Sequence, residues 1–184
     1  MIKKVFIIFI FTFFINLSHA KDNIMILELK DGSVIIELFD EIAPNHVKRF
    51  QKLVKEKKYD GVIFHRVIDG FMAQTGDVQF GNSNSENFDI GRAGTGGSKY
   101  PDLKAEFSDA PHQRGTLSMA RSSDPNSANS QFFICFKSSP HLDRQYTVFG
   151  KVTDGMEFVD LIKRGTGSSG AVSEPDKIIS LTVK

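Results

Sequence analysis

Apolar residues along this chain come mostly in short runs bounded by turn residues. Residues 24–29 and 34–38 are two such runs, and KDGS (30–33) separates them. An Asp-Gly pair between two apolar runs predicts a β-hairpin. Further apolar-rich runs predict six more strands, at residues 62–67, 71–75, 116–120, 131–136, 147–152 and 178–183.

Two segments have helical periodicity instead. The first opens at Pro44, a residue favoured in the first turn of a helix, and ends at Tyr59-Asp60-Gly61. Its apolar positions recur at helical spacing while lysines occupy the opposite face. A second helix fits residues 156–163. Eight strands with two helices predict a mainly β domain, namely a closed eight-stranded antiparallel β-barrel capped by two α-helices.

The first twenty residues have a different pattern. A basic start with Lys3 and Lys4 precedes an apolar run, and Ser18 and Ala20 supply small residues for a cleavage point, as in a secretory signal peptide. About thirteen apolar residues are short for a transmembrane helix, which needs about 20. The alternatives are an uncleaved anchor and a buried helix. We expect a signal peptide at 1–20, one domain at 21–184, and a periplasmic or secreted protein.

The charge balance, the lone cysteine and the histidine positions argue against several kinds of ligand and against an internal disulfide. The chain has 23 basic and 22 acidic side chains, which gives no electrostatic footprint for nucleic acid or for membrane binding after signal removal. Cys135 cannot form an internal disulfide and lies in an apolar run, which is typical of a buried small hydrophobe. His112 and His141 lack partners at metal-ligand spacing. We therefore expect no metal.

A glycine-rich segment lies in the long polar stretch between residues 77 and 113. GTGG (94–97) superficially suggests a phosphate-binding loop, but it lacks the Lys-Ser/Thr ending and does not fit the dinucleotide fingerprint. Loops of this length in a compact domain are often functional. We expect a functional loop and no bound cofactor.

The segment with the most chemistry is FHRVIDGFMAQTGD (64–77). It places Arg66, a cation that is not deprotonated in proteins, and the amide of Gln74 among the apolar residues Phe64, Phe71 and Met72. A charged donor, an amide and an apolar surface on strand-like sequence indicate a groove for a partly apolar amide. This segment contains nothing that looks like a nucleophile with its base.

The segment resembles the signature of the cyclophilin-type peptidyl-prolyl isomerases. Further blocks of that family follow in the family's order, and the resemblance covers essentially all of residues 24–184. The blocks are RGTLSMAR (114–121), PNSANSQFFI (125–134), LDRQYTVFG (142–150) and GM (155–156). The resemblance implies a cyclophilin-like fold and rotation about Xaa-Pro peptide bonds.

The resemblance also implies the site residues. Arg66 would be the central catalytic residue, with Gln74 beside it in the catalytic set. The residues implied to bind the substrate are Phe71, Met72, Gly94, Ala120, Arg121, Ser122, Gln131, Phe133, His141, Leu142 and Tyr146.

Three positions depart from the best-known eukaryotic members of that family. His141 stands where they carry a tryptophan, Tyr146 where they carry a histidine, and Arg121 where they carry an asparagine. Tyrosine and arginine at these places resemble the bacterial branch. Because the tryptophan normally contacts cyclosporin, we expect weak binding of that drug.

Several neighbouring residues are expected to be structural. Strand alternation places Phe133 on the face opposite Phe132, which is consistent with a groove position. The residues expected in the core, in packed positions or in turns are Phe64, Phe132, Phe136, His65, Asp124 and Asp143.

The expected function is isomerisation of Xaa-Pro bonds in unfolded or flexible polypeptides, which assists the folding of exported proteins. We expect a monomer that needs no cofactor. Two alternatives are a proline-segment-binding module or chaperone with little turnover, and a docking protein that keeps only the fold. A turnover assay separates these classes.

Overall fold

The structure is a computed structural model that describes residues 22–184, so the predicted signal peptide at 1–20 lies outside the described residues. In this region no helix is both long and apolar enough to cross a membrane. The strands are β1 (Ile24–Leu29), β2 (Gly32–Leu38), β3 (Arg66–Ile68), β4 (Met72–Thr75), β5 (Thr116–Met119), β6 (Phe132–Cys135), β7 (Val148–Asp154) and β8 (Ser180–Val183). The helices are α1 (Pro44–Lys55), α2 (Met156–Asp160) and a 3₁₀ turn, Pro140–Leu142.

The eight strands form one antiparallel sheet in the order β3-β4-β6-β5-β7-β2-β1-β8. The predicted β1–β2 hairpin is confirmed, with Leu29 opposite Gly32 across the turn. The mainly β class and the two helices are confirmed as well.

The prediction of a closed barrel is wrong, because the sheet is a curled half-barrel with two edges. The segments beside β3 and β8 approach each other only through isolated hydrogen bonds, such as that from the Phe64 N–H to the Asp176 carbonyl (2.8 Å). Pro175 has no N–H to donate, and Gly170 has a φ of 69°. The ladder is irregular in this segment, so only residues 66 and 67 of the predicted strand at 62–67 belong to β3, while residues 62 and 63 form isolated bridges.

Helix α1 begins at Pro44 as predicted, and its N-terminus is capped from a distant part of the chain. Ala43 offers no side-chain cap. Instead, the Glu106 carboxylate accepts hydrogen bonds from the backbone N–H groups of Asn45 and His46 (both 3.1 Å). A carboxylate at this end satisfies free amide groups and favours the helix dipole.

Helix α2 ends at Asp160, earlier than the predicted residue 163. The Asp176 carboxylate accepts the Lys163 N–H at 2.7 Å, and the Ile162 N–H donates to the Val159 carbonyl three residues back. A longer α-helix would need these N–H groups to donate to carbonyls four residues back, and they donate elsewhere instead.

The main core lies between α1 and the concave face of the sheet. The Phe50 ring of α1 meets Phe132 of β6 edge-on at 5.2 Å, and both side chains are almost fully buried. Phe64 and Phe136 also belong to this core, as expected. Phe133 and Cys135 of β6 point to the other face, where they join a smaller apolar cluster.

Candidate active site

Neighbouring strands bring the main polar and apolar residues of the site into one row. Arg66 of β3 lies opposite Gln74 of β4, Gln74 lies opposite Phe133 of β6, and Phe133 lies opposite Ser118 of β5. Directly opposed residues of paired strands project on the same face of a sheet. The turn at Gly70 therefore places the cation and the amide of the 64–77 segment side by side.

Arg66 is half-buried and is held from two sides. Its Nε donates to the Ser169 carbonyl at 3.0 Å, and its Nη1 donates to Gln74 Oε1 at 3.2 Å. Within residues 22–184 its Nη2 has no hydrogen-bond partner. The guanidinium is thus fixed in direction while keeping donors for a ligand.

Gln74 and Gln131 connect Arg66 to the 94–97 loop. Gln74 Nε2 donates to Gln131 Oε1 at 3.0 Å, and Gln131 Nε2 donates to the carbonyls of Gly94 and Gly96 at 3.0 and 2.8 Å. Because Gln74 Oε1 accepts from Arg66, this chain of bonds fixes the orientation of both amides.

The 94–97 loop is anchored from below by Asp77 and needs a glycine at position 94. The buried Asp77 carboxylate accepts the N–H groups of Gly94 and Gly96 at 2.8 and 2.9 Å. Gly94 has a φ of 99°, and a Cβ there would lie 2.8 Å from Cδ2 of His65. His65 is buried under this loop, as expected for a packed histidine, and burial lowers its pKa to about 4.

A small pocket of about 170 Å³ with an apolar floor opens beside Arg66. Its floor is the second apolar cluster, in which Met72, Phe133 and Leu142 are buried. The predicted site residues that line it are Arg66, Phe71, Met72, Gln74, Ala120, Arg121, Phe133, Leu142 and Tyr146.

A second, larger pocket of about 470 Å³ adjoins the first. The two pockets share Gln74, Ala120 and Arg121, and the predicted residues Gly94, Ser122 and Gln131 line the larger one. His141 lines neither pocket. It is exposed, and its ring lies 5.5 Å from the ring of Phe71.

A buried polar group behind Phe133 was not found from the sequence. His112 Nδ1 lies 2.9 Å from Asp143 Oδ1, its Nε2 lies 3.0 Å from Ser118 Oγ, and its ring stacks on Phe133 at 6.2 Å. Asp143 was expected only to serve a turn. Asp143 lies 31 residues from His112 along the chain, and no local motif joins it to His112 and Ser118.

This Ser-His-Asp group differs from a hydrolytic triad in its burial. Ser118 and His112 are almost inaccessible to solvent, so a substrate cannot reach the hydroxyl. Burial lowers the pKa of His112, while hydrogen bonds from the backbone and ring of His112 lower the pKa of the Asp143 carboxyl. A neutral imidazole then donates from Nδ1 to Asp143, while the Ser118 hydroxyl donates to the Thr147 carbonyl at 3.0 Å. The group supports Phe133 and the 140–146 segment from behind.

The described residues hold no cluster of three or more histidine, cysteine or acidic side chains suited to a metal ion. Cys135 is buried, and burial raises the pKa of its thiol to about 12. Such a thiol is a poor nucleophile. The side chains gathered beside the small pocket provide hydrogen bonding from a fixed cation, Arg66.

Comparison with known proteins points to one family. Residues 24–183 match the family model described as "Cyclophilin type peptidyl-prolyl cis-trans isomerase/CLD". A "Probable peptidyl-prolyl cis-trans isomerase" of Brucella suis is 60% identical over 164 residues, covering 89% of this chain and 83% of the relative. A "Peptidyl-prolyl cis-trans isomerase" of Helicobacter pylori strain J99 is 39% identical over 160 residues, covering 85% and 90%.

Solved structures give the same result. A cyclophilin-type peptidyl-prolyl cis-trans isomerase of Cryptosporidium parvum, crystallised in the presence of the dipeptide Ala-Pro, has a TM-score of 0.74 at 29% identity. The similarity covers 88% of this chain and 98% of that one. A cyclophilin of Hirschia baltica also has a TM-score of 0.74, at 28% identity, covering 89% and 74%.

Proposed function

This chain belongs to the cyclophilin-type peptidyl-prolyl cis-trans isomerases, and we propose that Arg66 is the residue that lowers the barrier to rotation. The isomerase activity follows from the family match and from the relatives named for it. The observation that carries the proposal for Arg66 is its fixed guanidinium, with donors left over, at the edge of a pocket with an apolar floor.

The reaction needs no bond to a nucleophile. Resonance gives the peptide C–N bond partial double-bond character and a rotation barrier of about 18–20 kcal/mol. At the twisted transition state this conjugation is lost, and the prolyl nitrogen gains a usable lone pair. A donor aimed at that nitrogen bonds the twisted form better than the planar one, and only such a difference accelerates the reaction.

Arg66 has the required donor, and its neighbours hold the donor in place. The Ser169 carbonyl and Gln74 Oε1 occupy its Nε and Nη1, which leaves Nη2 for the prolyl nitrogen. Each tenfold gain in rate needs about 1.4 kcal/mol. A charge-assisted hydrogen bond together with positioning can supply several such factors.

The remaining site residues position the substrate. The proline ring occupies the small pocket over the apolar floor of Met72, Phe133 and Leu142, while the preceding carbonyl swings. Gln74 is assigned to the catalytic set because it orients Arg66, and Gln131 holds Gln74 in turn. The Ala-Pro dipeptide used with the Cryptosporidium parvum relative supports binding of Xaa-Pro segments by this chain.

A cis–trans exchange assay on a short Ala-Pro peptide tests the role of Arg66. We expect Arg66→Ala to lower kcat/KM at least about tenfold, a loss of about 1.4 kcal/mol or more of transition-state binding. Arg66→Lys should restore little of the lost kcat/KM, because a lysine ammonium does not reproduce the planar, forked donor geometry of a guanidinium.

Arg144→Ala is the matched control. Arg144 is an exposed arginine that pairs with Asp109 outside both pockets, and its removal should leave turnover near the wild-type level. Near-wild-type turnover in Arg66→Ala would contradict the proposal. Tight peptide binding without turnover by the wild type would favour the binding-module alternative.

We further propose that residues 1–20 are a cleaved signal peptide and that the enzyme assists folding of exported chains. The support is the basic start, the apolar run and the small residues before position 21. Mass spectrometry of protein recovered from the native cell envelope should find Lys21 at the N-terminus. An intact Met1 in the membrane fraction would favour the anchor instead.

A further inference from the structure

The small pocket is lined by two guanidinium groups and by no carboxylate. Arg66 and Arg121 both line it, and the other lining residues are apolar or neutral. Among the ion pairs of residues 22–184, neither arginine has an acidic partner. Arg66 has a proposed role, namely donating to the prolyl nitrogen. Arg121 has no role in that bond rotation.

The Arg121 side chain is held in one place. Its Nη1 donates to the Ser122 carbonyl at 2.8 Å, its Nη2 donates to the Gln145 carbonyl at 3.0 Å, and its guanidinium stacks over the Tyr146 ring at 4.4 Å. Carbonyl dipoles and an aromatic face stabilise the cation but leave its net charge intact. A positive charge is therefore fixed where the two pockets meet.

The nearby carboxylates do not cancel this charge. Asp124 accepts the Asn126 N–H at 2.8 Å within its own loop. Asp143 accepts from His112 behind the pocket, and Asp102 lines the larger pocket only, where it accepts from Asn129 Nδ2 at 2.8 Å. The junction of the two pockets therefore carries a net positive charge, and the Asp102 carboxylate lies in the larger pocket.

The proposed function sets where a bound peptide lies relative to Arg121. The proline ring occupies the small pocket with its nitrogen at Arg66, and Gln74, which accepts from Arg66, lines both pockets. The residue before proline is bonded to that nitrogen, so in this arrangement it lies next to the small pocket. Arg121 lines both pockets and is the fixed charge beside that residue.

We propose that Arg121 is a specificity-determining residue, which makes this enzyme favour an acidic residue directly before proline over a neutral or a basic one. The inference rests on the proposed function, because the placement of the prolyl nitrogen at Arg66 puts the residue before proline next to the small pocket. A unit charge about 6 Å away in water changes kcat/KM about threefold, in opposite directions for Glu and Lys.

The test compares kcat/KM on three peptides that carry Glu, Gln or Lys before proline. At low salt we expect the wild type to prefer Glu to Gln about threefold and Glu to Lys about tenfold. Arg121→Gln should reduce the Glu-to-Gln ratio at least twofold, while Arg121→Lys keeps it. The control Arg144→Gln removes an exposed charge outside both pockets and should leave the ratio unchanged. In about 1 M NaCl, where screening acts within roughly 3 Å, the wild-type ratio should approach one.

The outcomes separate this inference from the function on which it rests. Normal turnover of the Gln peptide with a Glu-to-Gln ratio of one would overturn the role of Arg121 and leave the isomerase function standing. The same holds for a ratio that Arg121→Gln does not change. Absence of turnover on all three peptides would overturn the proposed role of the site and this inference with it. If Arg121→Gln does not fold, a wild-type ratio that is insensitive to salt overturns the inference by itself.

Discussion

The two faces of strand β6 carry apolar residues of equal size but have different surroundings. On one face, Phe132 lies in the main core and is covered by the aromatic rings of Phe50 and Phe149. On the other face, Phe133 is covered from behind by the His112 ring but lines an open pocket in front. One strand thus serves stability with one face and ligand binding with the other, because helix α1 closes only the first.

The largest effects are expected when one phenylalanine ring is removed from each face of β6. Phe132→Ala should cost about 3–5 kcal/mol of unfolding free energy, since its cavity is enclosed on all sides. Phe133→Ala should cost at most about half as much, because water can enter the space it leaves. It should nevertheless lower kcat/KM at least about tenfold through loss of the pocket floor.

Denaturant unfolding and the cis–trans assay measure the two effects on the same pair of variants. Phe132→Ala should keep its turnover per folded molecule. Equal losses of stability, or normal turnover in Phe133→Ala, would show that the two faces do not differ in this way.

Low pH should affect the two regions differently. The aliphatic and phenylalanine side chains of the main core do not titrate, whereas a buried histidine, His65, lies under the 94–97 loop. His65 has a pKa of about 4 in the folded protein, lowered by burial, against about 6.5 in an unfolded chain. Below pH 6.5 the unfolded chain therefore binds a proton that the folded protein does not yet bind. The unfolding free energy should fall as pH decreases from 6.5 towards 4, by at most about 1.4 kcal/mol per pH unit from this residue.

The variant His65→Gln isolates this contribution, because burial also lowers the pKa of His46 and His112. Chemical unfolding between pH 6.5 and 5 should give a shallower slope for the variant than for the wild type. Identical slopes would place the acid sensitivity elsewhere.

The smallest effect is expected at the outer edge of the site. His141 is exposed and contacts Phe71 without lining either pocket, so it should contribute little to isomerisation. A tryptophan offers a larger apolar face and an N–H donor. We expect cyclosporin to inhibit the wild type weakly, and His141→Trp to tighten inhibition about fivefold, or about 1 kcal/mol. Peptide turnover should change less than twofold.

Inhibition titrations and turnover assays on His141→Trp check this contrast. Strong inhibition of the unmodified protein would contradict it. So would equal changes in inhibition and in turnover, because they would place His141 inside the catalytic pocket.

The elements that the sequence predicted correctly are those set by local patterns. The β1–β2 hairpin follows from its Asp-Gly turn, and the start of α1 follows from Pro44. The family resemblance placed Gln74 beside Arg66, and the two residues lie opposite each other on β3 and β4. Strand alternation likewise separated Phe133 from Phe132.

The features that could not be predicted depend on contacts between distant residues. The half-barrel stays open because the segments beside β3 and β8 meet only in isolated bridges such as that of Ile63 with Lys177, which local strand patterns do not reveal. Glu106 caps α1 across a separation of 61 residues, and Asp143 meets His112 across 31. Hydrogen bonds of this kind form only once the sheet is assembled, and no local pattern in a single sequence predicts them.

The most direct test of the central claim is the rate of cis–trans exchange within the bound complex, measured together with the Kd. NMR exchange spectroscopy on an Ala-Pro peptide provides both quantities for the wild type and for Arg66→Ala. If Arg66 bonds the twisted amide better than the planar one, exchange in the complex should slow at least about tenfold while the Kd changes less than about threefold. An unchanged exchange rate with a weakened Kd would show that Arg66 only binds the substrate, and would contradict the account.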